Sequence, residues 1–71
     1  MSFYLLENEK YNSLVYNGDL VIRTVNPSEF KLNDYVTFVR KHSKYVPSES
    51  IEAKVMSINK SNYYYNILFK I

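Results

Sequence analysis

The chain has 71 residues, no cysteine, one glycine and a net charge of +2. That length holds one domain, and the missing cysteine excludes a disulfide-stapled core or a thiolate metal centre. So small a charge does not by itself specify a nucleic-acid partner.

Ser2–Leu6 is a short apolar run rich in β-formers and reads as a strand. Asn8–Asn17 changes period, because Tyr11, Leu14 and Val15 fall on one face of a helix. Asn17-Gly18 stops that helix, since glycine readily takes the left-handed conformation just past a helix end. Asn-Gly also favours a tight hairpin, so a strand over Ser13–Tyr16 is the competing reading. Leu20–Val25 is a β-branched strand, and Asn26-Pro27-Ser28 is a turn because proline fixes φ and lacks a ladder donor.

Phe30 and Leu32 lead to a second turn at Asn33-Asp34. From Asp34 to Arg40 the chain alternates, with Tyr35, Thr37 and Val39 on one face and Val36 and Phe38 on the other. Lys41–Ser50 is polar and reads as an exposed loop. In Ile51–Ile58 a further strand sets Ile51, Ala53, Val55 and Ser57 against Glu52, Lys54, Met56 and Ile58. Asn59–Asn62 is a turn. Tyr63–Ile71 reads as a closing strand, although Tyr63, Tyr64, Ile67, Leu68 and Ile71 also fit a helical period; its Tyr, Ile and Phe favour the strand.

These elements predict a mainly β, single small barrel over residues 1–71, with about five strands and one short helix. Eight Tyr and four Phe compensate for small size with large buried area per residue. No run approaches the roughly 20 apolar residues of a membrane helix, and the first residues lack the basic start of a signal peptide. The expectation is a cytoplasmic protein with no membrane association.

Chemistry-bearing constellations are sparse. One His, no Cys and scattered carboxylates gather no metal site, and no cofactor is expected. His42 is the one conventional base, and nothing selects a serine to partner it. With one glycine there is no phosphate-cradling glycine loop. Charge is uneven: residues 1–35 carry −2 and residues 36–71 carry +4. The basic loop Arg40, Lys41, His42 and Lys44, followed by Tyr45, suits a phosphate backbone with a stacked base. Lys54, Lys60 and the Tyr63-Tyr64-Tyr65 run extend that surface. Arg23, between Ile22 and Thr24, either points to solvent or lines a pocket for an anion.

Tyr11-Asn-Ser-Leu-Val-Tyr-Asn-Gly18, then Val21-Ile-Arg23, then Phe30-Lys-Leu-Asn-Asp-Tyr-Val-Thr-Phe38, then Ala53-Lys-Val-Met-Ser-Ile58 run through about two thirds of the chain. This succession resembles ASCH-type domains of the PUA-like family of RNA-associated small β-barrels. The resemblance implies a PUA-like barrel, with an SH3-like barrel as the other small solution. In family members that act as small amidohydrolases, a Lys and a Glu after the glycine belong to the active site. Asp19 and Leu20 stand here instead, and only Gly18 and Arg23 match. The Gly18-to-Phe38 stretch is also similar to the β-core of signal peptidases, but Lys10-Tyr11-Asn12-Ser13 replaces the nucleophile motif. The expectation is therefore a non-enzymatic nucleic-acid-binding module, RNA rather than DNA, using Arg23, Arg40, Lys41, Lys44, Tyr45, Lys54 and Lys60. The competing expectation is a small regulator or inhibitor of a host protein, carried by a phage, archaeal virus or other mobile element, with a homodimer through Tyr63–Ile71 as a variant.

Overall fold

A computed structural model describes residues 3–41 and 49–71. Strand β1 (Phe3–Leu6) leads into helix α1 (Asn8–Asn17), and β2 (Asp19–Thr24) follows. A single 3-10 turn at Pro27–Glu29 then precedes β3 (Tyr35–Arg40), β4 (Ser50–Lys60) and β5 (Tyr65–Lys70). The fold is mainly β and barrel-like: one five-stranded sheet in the order β1-β3-β4-β5-β2. β1 runs parallel to β3, and every other neighbouring pair is antiparallel.

The helix bridges the two edges of that sheet. β1 and β2 are its two edges, yet only Glu7 and Gly18 connect them to the two ends of α1. Ten helical residues span about 15 Å. Four strand spacings in a flat sheet would span roughly 19 Å. With one linking residue at each end the helix reaches across, and it packs on the curled sheet, touching β1, β3 and β2. Gly18 makes the exit, with φ 77° and its N–H donating to Leu14 O at 2.8 Å. The helix reading of Asn8–Asn17 holds, but its buried face is Tyr11 and Leu14. Val15 remains 48% exposed because α1 meets the curled sheet along a narrow line rather than a broad face.

The concave side holds the core. Leu20 and Ile22, Val36 and Phe38, Ala53 and Val55, and Ile67 and Phe69 alternate inward from β2, β3, β4 and β5. Aromatic rings occupy its centre. Phe38 meets Phe69 edge-on at 4.9 Å, Phe69 meets Phe30 at 5.4 Å, and Tyr4 lies 6.0 Å from both Phe30 and Phe38. Phe30 comes from the β2–β3 connection, so this non-strand segment also closes the core.

Three expectations need correction. β4 carries a bulge between Val55 and Ser57, leaving Met56 unpaired. The alternation read across Ile51–Ile58 therefore breaks. Ile58 pairs with Ile67 and packs against the core. The turn after β4 also starts later, since β4 continues to Lys60 and Ser61 N–H donates to Tyr64 O. The last segment is a strand, as expected, but it does not close the sheet. β5 lies between β4 and β2 because the order of strands in space is not their order in sequence.

Phe38→Ala or Phe69→Ala should cost about 3–5 kcal/mol, read from urea unfolding. Gly18→Ala should cost about 1 kcal/mol, and Gly18→Asn less. No atom lies near an added Cβ, so the penalty comes from the positive φ alone.

Candidate nucleic-acid interface

The expected basic loop divides at its start. Arg40 pairs with Leu6 of β1 on the concave side, at one end of the curled sheet. Its guanidinium lies 4.6 Å from the centroid of the buried Tyr11 ring and donates from Nη2 to Glu49 Oε2 at 3.2 Å. The side chain is 15% exposed, and its Nε is buried without a hydrogen-bond partner. The Arg40 N–H also donates to Glu49 O at 2.7 Å. Arg40 thus anchors the end of β3 to the chain that enters β4. Lys41 donates from Nζ to Glu7 Oε1 at 3.3 Å, with both side chains largely exposed. Among the described residues these are the two ion pairs. His42, Lys44 and Tyr45 lie outside the described residues.

Tyr11 senses the same cluster. Burial pushes its phenol above the ordinary 10.0, the Glu49 carboxylate adds to the shift, and Arg40 opposes it. A phenol held protonated by the fold contributes stability below about pH 10, and that contribution is lost as pH rises further.

The remaining cations sit elsewhere. On β2, β4 and β5 the residues between the inward-facing ones point to the convex side. This places Arg23, Lys54 and Lys70 on one face. Lys54 lies directly across from Lys70, with Tyr35 on the far side of Lys54 and Asp19 on the far side of Lys70. Like charges directly opposite each other are unfavourable, and Asp19 and the exposed Glu52 share this face with them. Arg23 opposes Asn66, four residues along β5 from Lys70, or roughly 13 Å at strand rise. Its guanidinium lies over the Tyr64 ring, 4.2 Å from the centroid. Arg23 is exposed, so it takes the solvent-facing option and lines no pocket. Lys60 follows the inward parity of Ile58 beyond the bulge and emerges at the rim, opposite Tyr65. Tyr63 is 91% exposed at the adjoining turn.

The structure therefore brings Arg23 and Lys54 onto one face, puts Lys60 beside that face, and holds Arg40 at the opposite side of the sheet. Sequence reading missed Lys70 and, although it named the Tyr63-Tyr64-Tyr65 run, did not single out Tyr64 as the ring beneath Arg23. Each could be placed only through cross-strand register, which no local pattern reveals.

Among the described residues no cluster of three or more His, Asp or Glu gathers to hold a metal ion. No helix among them is long and apolar enough to cross a membrane. The chain matches no known protein-family model and no curated protein.

Arg40→Ala should lose about 1–2 kcal/mol of stability, because a largely buried cation leaves both an aromatic face and a carboxylate. Lys41→Ala should lose no more than about 0.5 kcal/mol, since its pair is solvated. Stability should fall as pH rises beyond about 10, and Tyr11→Phe should flatten that alkaline limb, as followed by chemical denaturation across pH.

Proposed function

We propose that this protein is a non-enzymatic nucleic-acid-binding module that prefers RNA to DNA and uses the convex face of its sheet. The carrying observation is the set of cations there without carboxylate partners among the described residues: Arg23, Lys54 and Lys70. Lys54 and Lys70 stand opposite each other and attract one phosphate group jointly. Arg23, seated on Tyr64, offers a planar donor fork about two strand repeats away. Lys60 and the exposed Tyr63 extend the track at the rim, and Tyr63 offers a face for base stacking. The PUA-like resemblance favours RNA, and the lack of cysteine suits a reducing cytoplasm. Arg40 and Lys41 contribute less in this reading than the loop sequence suggested, because each already has a carboxylate partner.

The competing reading is a regulator of a host protein encoded by a mobile element. Exposed Tyr16 and Tyr63, 87% and 91% open, favour it. The variant that dimerises through Tyr63–Ile71 lacks a free backbone edge, since β5 has neighbours on both sides.

Binding of a labelled mixed-sequence RNA should weaken steeply between about 50 and 200 mM salt. Arg23→Ala, Lys54→Ala and Lys70→Ala together should reduce the salt slope by about 1.4, given about 0.7 per phosphate on a single strand and two phosphates held, one by Lys54 with Lys70 and one by Arg23. Unchanged affinity and slope in that triple variant would sink the convex-face reading. A failure of the parent protein to bind at low salt, with capture of one stoichiometric host protein, would favour the regulator.

A further inference from the structure

We propose that the open edge of β1 pairs with β1 of a second copy, forming a two-fold dimer with a continuous ten-stranded sheet. The two sheet edges differ in their protection. β2 carries Asp19 and Arg23 outward, and charges of that kind discourage edge pairing. β1 reads Phe3-Tyr4-Leu5-Leu6, with no charge, proline or bulge. Its outward side chains, Phe3 and Leu5, are 68% and 67% exposed.

Hydrogen-bond parity fixes the register. Lys41 N–H donates to Leu6 O, so the peptide groups of Leu6, and by alternation Tyr4, face β3. Those of Phe3 and Leu5 face the open side. No backbone hydrogen bond outside the ladder engages either residue among the described residues. A two-fold axis through the Tyr4–Tyr4 pair sets Phe3 of each copy opposite Leu5 of the other. Both such pairs are then hydrogen-bonded pairs, which gives four new N–H to O=C bonds. The central Tyr4 pair is a non-hydrogen-bonded pair, as the antiparallel alternation requires.

Side-chain chemistry agrees with that register. Phe3 and Leu5 of opposite copies meet on the convex face as a cross-strand aromatic–aliphatic pair. The sequence is thus complementary to itself, as a two-fold interface needs. Two four-residue strands bury less than the roughly 1,000 Å² of a permanent interface. The dimer is therefore weak and concentration-dependent.

The chain's lack of cysteine allows a direct test by cross-linking. Mixed Phe3→Cys and Leu5→Cys chains should form a disulfide across the interface, and neither variant alone should do so comparably. The opposed Cα atoms of the mixed pair lie about 5.5 Å apart, within disulfide reach. Sedimentation of the full chain from about 10 μM to about 1 mM should show the mass rising from 8.5 kDa toward twice that value. Leu5→Lys should hold it at the monomer value, with an unchanged circular dichroism spectrum because residue 5 faces solvent. A monomer throughout that range would overturn the proposal. So would a dimer that persists in Leu5→Lys, or cross-linking of Phe3→Cys alone as fast as the mixture.

Discussion

The edge-on contact of Phe38 with Phe69 is the interaction on which this fold depends. The two rings belong to β3 and β5, which are not neighbours, because β4 runs between them. Side chains on alternate strands of a flat sheet stand roughly 10 Å apart. Their ring centroids lie at 4.9 Å, so the concave face must be tightly curved there. Phe30 and Tyr4 complete the ring cluster from a connection and from an edge strand. Each edge-on pair adds about 0.5–1.5 kcal/mol beyond area burial. For a chain this short, such contacts are a large share of net stability.

Curvature has two consequences beyond the core. It gives α1, tied by single residues to both edges, a curled sheet to pack on. It also separates the surface into two chemically different sides. The concave rim holds Arg40 between Tyr11 and Glu49, where an arginine acts as a structural tie. The convex side carries Arg23 over Tyr64 and Lys54 between Tyr35 and Lys70, with Asp19 across from Lys70, and the RNA-binding reading rests on that side. The bulge at Val55/Ser57 maintains this separation. It returns Ile58 to the core and turns Lys60 to the rim rather than alongside Lys54.

Much of the architecture was legible in the residues. The strands announced themselves through alternation, as in Val36 and Phe38 against Tyr35 and Thr37. The end of α1 was legible because one glycine stood where a left-handed residue was needed. The site was less legible. Arg40 and Lys41 looked like part of an exposed basic run, since their carboxylate partners stand 9 and 34 residues away. Lys70 gave no signal at all, because its meaning lies in being opposite Lys54. Met56 looked like an ordinary outward residue, and nothing in its immediate sequence marked a bulge.

The sequence by itself therefore determined most of the elements: the strands, the turns, the stop at Gly18, and the alternating faces of β3 and of β4 up to the bulge. These follow from propensity, side-chain period and backbone stereochemistry, all of which act over a few residues. Tertiary structure alone decided that β5 is central and β1 and β2 are edges. It also decided which cations are paired, and which tyrosine carries Arg23. Those outcomes depend on cross-strand register and on ring packing between distant segments. Many strand orders satisfy the same local pattern, and this one buries Phe30, Phe38 and Phe69 together in a single core.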